Sequence, residues 1–187
     1  MNTIENVKSF ADHKSVNPSF FSKTGSTKTN SELVASLNIT LAHAIDLRSH
    51  TKQALWNAKG PNSYSVQKML KEFSKQIDSI SDELSKRILT FGGTPNWTAD
   101  IVAKTSLLTK LKYDPDSGAQ PLESLLTSYE MVAQSLTSIM KQAVKSDDYG
   151  TASLVTDFAK MLDDQCQSIV ANLPIEWVEN TKRATAS

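Results

Sequence analysis

Nine apolar residues, Val66, Met69, Leu70, Phe73, Ile77, Ile80, Leu84, Ile88 and Phe91, recur mostly at steps of three and four. At that period they line one face of an α-helix over residues 63–91, because a turn takes about 3.6 residues. A helix with a single apolar stripe of this kind buries it against other helices. Gly92-Gly93 closes it, since glycine accepts the left-handed conformation common after a helix C-terminus.

Three more stretches carry the same signal. Residues 31–58 place Leu33, Leu37, Leu41, Ala44, Ile45 and Ala54 on one side, with Asn30 or Ser31 as N-cap and Gly60-Pro61 as the stop. Residues 121–145 bury Leu122, Leu125, Leu126, Tyr129, Val132, Leu136, Ile139, Met140 and Ala143, and Pro121 suits the first turn. Residues 148–172 run through Leu154, Val155, Phe158, Met161, Leu162 and Ile169 to the limit set by Pro174, with Asp147 or Asp148 as cap. The link over 94–120 is long, and Ala99 to Leu108 can form a short helix within it. A long link between two helix pairs favours a crossover of ferritin type over an up-down-up-down order. The predicted fold is all-α: a four-helix bundle over 31–173 with a long crossover connection, between a polar, flexible N-terminal arm (1–30) and a C-terminal tail (174–187); the resemblance described below makes it ferritin-like.

Composition narrows the function classes. The 20 Lys and Arg balance 20 Asp and Glu, so overall charge gives no pull towards nucleic acid, and any DNA contact needs a local patch. No apolar run approaches the ~20 residues of a membrane span. Residues 1–21 lack the apolar segment of a signal peptide. The single cysteine, Cys166, excludes an internal disulfide framework and fits a reducing cytoplasm. Its apolar helical setting makes it a small buried hydrophobe before a reactive thiol. There is no glycine-rich phosphate loop, and Asp163-Asp164 read as a solvated edge.

The run Lys52-Gln53-Ala54-Leu55-Trp56-Asn57-Ala58-Lys59-Gly60-Pro61, with Ile45-Asp46-Leu47, Met69-Leu70, Phe73 and Gly92-Gly93, resembles the Dps family, the mini-ferritins that protect DNA in starved bacterial cells. The resemblance covers roughly residues 37–172. It implies a homo-oligomer, a hollow twelve-subunit shell, with iron as cargo. It also implies an oxidation centre between two subunits related by a twofold axis. Mapped without gaps, that centre's first histidine falls at Leu55 and its second at Gln67. The companion Asp falls at Lys71, the second-helix Asp at Asp82, and the Glu at Lys86. Only Asp82 is an ordinary iron ligand. Leu55 has no donor atom, and Gln67 offers a neutral amide oxygen that competes poorly with imidazole or carboxylate. Lys71 and Lys86 put positive charge where a divalent cation belongs. A position where the family usually carries an aromatic falls at Gln167.

Lys75–Asp78 and Asp82–Lys86 are spaced for ion pairs along the helix. The expectation is that ion pairs replace the iron centre, Asp82 joining Lys86 or the Lys71 position of a neighbouring subunit. His43, Asp46 and His50 fall within about 60° of arc and form a second, weaker metal candidate; the alternative is that they are ordinary polar residues of the bundle. Asp147 and Asp148 match an acidic stretch lining the family's threefold pores, although capping accounts equally well for one of them. Lys8, Lys14, Lys23 and Lys28 give the arm a small basic excess. A shell of such arms can hold DNA weakly through avidity; a solvated tail is the plainer reading.

Three functions stay open on the sequence. One is a ferroxidase with a displaced ligand set. The second is a shell for iron storage and stress protection without its usual centre, able to coat DNA or to co-assemble with active relatives. The third is a helical binding module. The motif string favours the first two, and the two lysines favour the second.

Overall fold

The computed structural model describes residues 27–109 and 120–173. They form α1 (Thr27–Asn57), α2 (Ser63–Thr90), a short α3 (Ala99–Thr105), α4 (Gln120–Lys145) and α5 (Tyr149–Val170). The sequence from residue 26 to 59 holds no glycine or proline, which is why α1 starts earlier than expected. Asn30 and Ser31 therefore lie inside the helix and do not cap it, and residues 27–30 of the expected arm are helical. In the link, α3 stops at Thr105 and not near Leu108, because Ser106 turns extended with ψ 136°.

Side-chain pairs give the direction of every long helix. Ser36 donates to Gln142 at 2.7 Å, while His43 meets Ser135 and His50 meets Ser128. Later residues on α1 thus face earlier ones on α4, so the two are antiparallel. Gln165 donates to Gln76, and Arg87 to Thr151, so α2 and α5 are antiparallel too. Since α1 and α2 are themselves an antiparallel hairpin, with Arg48 opposite Asp78, α2 and α4 run parallel. Two parallel neighbours in sequence require a connection that returns along the bundle, which is the crossover expected from the long link.

Helices α2 and α4 end on the same local device. After α2, the Gly92 N–H donates to Leu89 O at 2.9 Å and the Gly93 N–H to Ile88 O at 3.0 Å, with Gly92 at φ +73°. This is a Schellman turn. Gly93 answers a second need, because a Cβ there would lie 2.6 Å from Val34 Cγ1 on α1. After α4, Asp147 donates to Val144 O and Asp148 to Ala143 O in the same pattern. Here the left-handed residue is Asp147 itself, at φ 53°. Asp148 then caps α5 by accepting from Thr151 N at 3.1 Å.

The core is a continuous cluster that includes Leu37, Leu41, Leu70, Ile77, Leu84, Leu125, Phe158 and Leu162. Each such side chain contributes about 1.5–3 kcal/mol on leaving water. One polar chain crosses it. Thr51 lies 3.4 Å from the Tyr129 hydroxyl, which donates to Gln165 Oε1 at 2.7 Å; Gln165 Nε2 donates to Gln76 at 2.6 Å. All four long helices contribute one member. Burial pushes the Tyr129 phenol well above its usual range, so it stays a neutral donor.

The second polar device is an ion pair at the opposite end. Arg87 of α2 binds Asp148, donates to Thr151 Oγ1 at 3.0 Å, and lies 4.6 Å above the Phe91 ring. Gly150 leaves room for the guanidinium, since a Cβ there would approach its Cζ to 3.0 Å. The two partners are unequal: the Asp148 side chain is 2% exposed and that of Arg87 22%. Asp148 Oδ2 already lacks a hydrogen-bond partner among the described residues. A freed Arg87 can rehydrate, whereas a freed Asp148 cannot. Arg87→Met is therefore expected to lower unfolding stability by roughly 3 kcal/mol, and Asp148→Asn by clearly less. Urea unfolding midpoints of the two variants check this; equal losses, or a larger loss for Asp148→Asn, would contradict it.

Candidate functional site

The positions suggested for an iron centre are distributed over the α1–α2 seam without forming a ligand set. Leu55 is 8% exposed and belongs to the apolar core. The Gln67 amide is half-buried, and its Nε2 donates to Ala58 O at 3.5 Å. Lys71 and Asp82 are exposed on α2. Lys86 donates to Glu83 at 2.7 Å, and this bond together with the Glu83 charge raises its pKa; Asp82 adds a smaller push. The expected Asp82–Lys86 pair is thus replaced by Glu83–Lys86. Lys75 likewise bonds Glu72 at 3.1 Å and not Asp78, which instead takes Arg48 of α1 at 2.5 Å. The lysines find glutamates three residues earlier on their own helix. Asp78 faces the seam, within reach of a longer cation on α1.

At the positions the resemblance maps, the side chains supply few iron donors. One position offers no donor, one a neutral amide, and two carry ammonium groups. Among the described residues, no three His, Cys, Asp or Glu side chains gather closely enough to hold a metal ion. Around the mapped positions, sequence reasoning missed Arg48, Glu72 and Glu83. The two glutamates were visible as i, i+3 partners of the lysines. Arg48 required the α1–α2 register.

The second candidate cluster resolves into two rungs between α1 and α4. His43 Nδ1 lies 3.2 Å from Ser135 Oγ, whose own proton goes to Val132 O at 2.7 Å. His50 Nδ1 lies 2.9 Å from Ser128 Oγ, whose proton goes to Ser124 O at 3.2 Å. Each serine is therefore an acceptor, which assigns the imidazole proton to Nδ1 in both rings. His50 Nε2 then faces Asp46 at 3.7 Å, while His43 Nε2 is buried with no hydrogen-bond partner among the described residues. The two rings face serines seven residues apart, so they tie helices together and do not converge on a shared ion.

The acidic pair at the α4–α5 turn also separates. Asp148 is buried, paired with Arg87 and capping α5, so it is not available as an open pore carboxylate. Asp147 stays exposed, 3.4 Å from the Tyr149 hydroxyl. Lys8, Lys14 and Lys23 lie outside the described residues, and Lys28 sits in the first turn of α1. Gln167 is exposed on α5, as are Asp163 and Asp164. The half-buried Cys166 thiol is pushed up to about 11, first by burial and then by Glu130 and Asp163, which makes it a poor nucleophile.

Burial lowers the pKa of both His43 and His50, and Asp46 only partly opposes this. A histidine with a depressed folded pKa binds fewer protons folded than unfolded. Stability is then full above the unfolded value of about 6.5 and declines as pH falls below it. The urea midpoint is expected to drop between pH 7 and pH 5, with a shallower drop in His43→Asn. A flat profile, or an unchanged slope in the variant, would contradict this.

Comparison with known proteins agrees with this architecture. Residues 34–173 match the family model of the ferritin-like domain. The chain is 32% identical over 133 residues to the "DNA protection during starvation protein" of Agrobacterium fabrum, an alignment covering 71% of this chain and 82% of that protein. Among solved structures, a Dps protein from Vibrio cholerae O1 superposes with a TM-score of 0.72 at 21% identity, covering 78% of this chain and 91% of the other. An archaeal Dps homologue from Halobacterium salinarum gives 0.74 at 20% identity, covering 79% and 82%. The chain belongs to the Dps family of ferritin-like proteins.

Proposed function

We propose that this protein is a mini-ferritin shell subunit for iron storage and stress protection, in the cytoplasm, whose usual inter-subunit ferroxidase centre is lost. The observation that carries the reading is the chemistry of the mapped positions: Leu55 sits in the core, Lys71 is exposed, and Lys86 is held by Glu83. The Lys71 ammonium disfavours Fe²⁺ nearby, and Lys86, held by Glu83, offers no lone pair to a metal. Asp82 alone offers one carboxylate, too little to hold and oxidise iron at ordinary affinity.

The family's architecture supports a twelve-subunit shell, and iron is its cargo, taken up slowly from solution or through pores. Co-assembly with active relatives fits the same reading, because such relatives would supply the missing oxidation step. The A. fabrum relative bears a name for DNA protection. For this chain, zero formal net charge and a sparsely basic arm support weak DNA contact at most.

Aerobic addition of Fe²⁺, and of Fe²⁺ with peroxide, tests the reading when followed by absorbance against a metal-free control. The expected trace shows slow oxidation that does not saturate at low iron-to-subunit ratio. Leu55→His alone is expected to leave it unchanged, because Lys71 and Lys86 remain. A combination with Gln67→His, Lys71→Asp and Lys86→Glu is expected to speed it. Rapid, saturable oxidation by the unmodified chain would favour a displaced ligand set.

A further inference from the structure

A groove of about 370 Å³ lies along the seam between α2 and α5, and its walls carry Gln76, Asp157, Lys160, Met161, Asp164 and Ser168. Asp157 and Asp164 stand seven residues apart, nearly in line on α5 and about 10.5 Å from one another along its axis. Both are exposed, and among the described residues neither carboxylate is engaged in an ion pair or hydrogen bond.

At the Asp164 end, the groove's other polar groups have their protons committed elsewhere. The Ser168 hydroxyl donates to the Asp164 carbonyl oxygen at 3.0 Å, which leaves its oxygen with lone pairs only. Gln76 takes its orientation from the core. Thr51 gives its own proton to Leu47 O, and Tyr129 donates to Gln165 Oε1. Gln165 therefore presents Nε2 to Gln76 Oε1, at 2.6 Å. Gln165 is 1% exposed and bound at both ends of its amide, so it cannot turn over to reverse this setting. An amide oxygen has two lone pairs, and one on Gln76 remains. The Asp164 carboxylate, Ser168 Oγ and Gln76 Oε1 thus give one end of the groove three acceptors. A primary ammonium group has three donors. Between the two carboxylates, half-buried Met161 packs against the core and offers an apolar surface.

We infer that this groove binds an aliphatic diamine, with one ammonium group on Asp164, Ser168 and Gln76, the other on Asp157, and the methylene chain on Met161. Charge-assisted contacts of ~2.8 Å at each end leave roughly 5–8 Å between the two nitrogens, which about four or five methylenes span. Exposed ion pairs are weak singly, so selectivity comes from the fixed acceptors and the spacing of the two charges. A single metal ion is the wrong ligand, because its oxygen ligands lie within about 2.6 Å and carboxylates two helical turns apart cannot share it. Lys160, three residues after Asp157 and four before Asp164, opposes a dication from the rim. The site goes beyond the iron reading and stands without it.

Calorimetric titration of the full-length chain with 1,5-diaminopentane at low salt tests the proposal. Saturable binding of one ligand per subunit is expected, about tenfold or more tighter than for pentylamine or 1,2-diaminoethane. Asp157→Asn and Asp164→Asn are each expected to weaken it by about tenfold, and Lys160→Met to tighten it. Asp163→Asn, on the same helix but outside the groove, is expected to change nothing. These side chains are all exposed, so circular dichroism is expected to show the same helix content in every variant. No saturable heat, or equal affinity for the three amines, overturns the proposal. So does an equal loss in Asp163→Asn, which marks general attraction to surface carboxylates. Rapid iron oxidation would defeat the proposed loss of the iron centre without altering any of these results.

Discussion

Burying four apolar helix stripes against one another leaves no water for any polar group caught inside. Some buried hydroxyls, such as Ser81, return to their own helix, and the polar groups that find partners on other helices fix how the helices stand. The Thr51–Tyr129–Gln165–Gln76 chain draws one member from each long helix. The rungs from Ser36, His43 and His50 to Gln142, Ser135 and Ser128 hold α1 against α4. Leucine and isoleucine supply the driving force but would tolerate sliding; hydrogen bonds of fixed length do not. This polar framework sets the register, and the register decides which surface residues come together.

The fold was legible because it rests on local periodicity. The steps of three and four between Val66 and Phe91 need no knowledge of the rest of the chain, and Gly92-Gly93 announces its turn in two letters. The crossover was legible from the length of the link. What the sequence hid was contact between distant residues. His43 and His50 share an arc of α1, which left a weak metal pair and ordinary polar residues of the bundle both open. Only the α1–α4 register shows that serines on the opposite helix claim them. Asp147 and Asp148 look alike as neighbours, yet one takes the left-handed position after α4 and the other turns inward to Arg87. The Glu72–Lys75 and Glu83–Lys86 pairs were readable from spacing and lost to a choice between carboxylates three or four residues away.

The mapped iron positions follow the same division. Their identities were plain in the sequence, and their chemistry follows from residue type alone: a hydrocarbon at Leu55, an amide at Gln67, ammonium groups at Lys71 and Lys86. The structure adds how each is engaged. Leu55 is packed into the core, so removing it would cost stability as well as alter the site. Lys86 has its charge balanced by Glu83 and needs no metal-site carboxylate. On the proposed reading, the mini-ferritin frame and the usual iron chemistry are separable. The frame depends on stripes and rungs inside the bundle, the chemistry on a few exposed α2 residues and one α1 position.

The central proposal is that Lys71 and Lys86 stand where the resemblance places carboxylate ligands, so that no divalent cation is held tightly there. Anaerobic Co²⁺ titration of the assembled protein, followed by visible d–d absorption and equilibrium dialysis, measures it without any oxidation step. The account predicts no tight site at stoichiometric metal and no structured absorption band. A saturable band reaching one or more ions per subunit at low cobalt, and lost in Asp82→Asn, would contradict it.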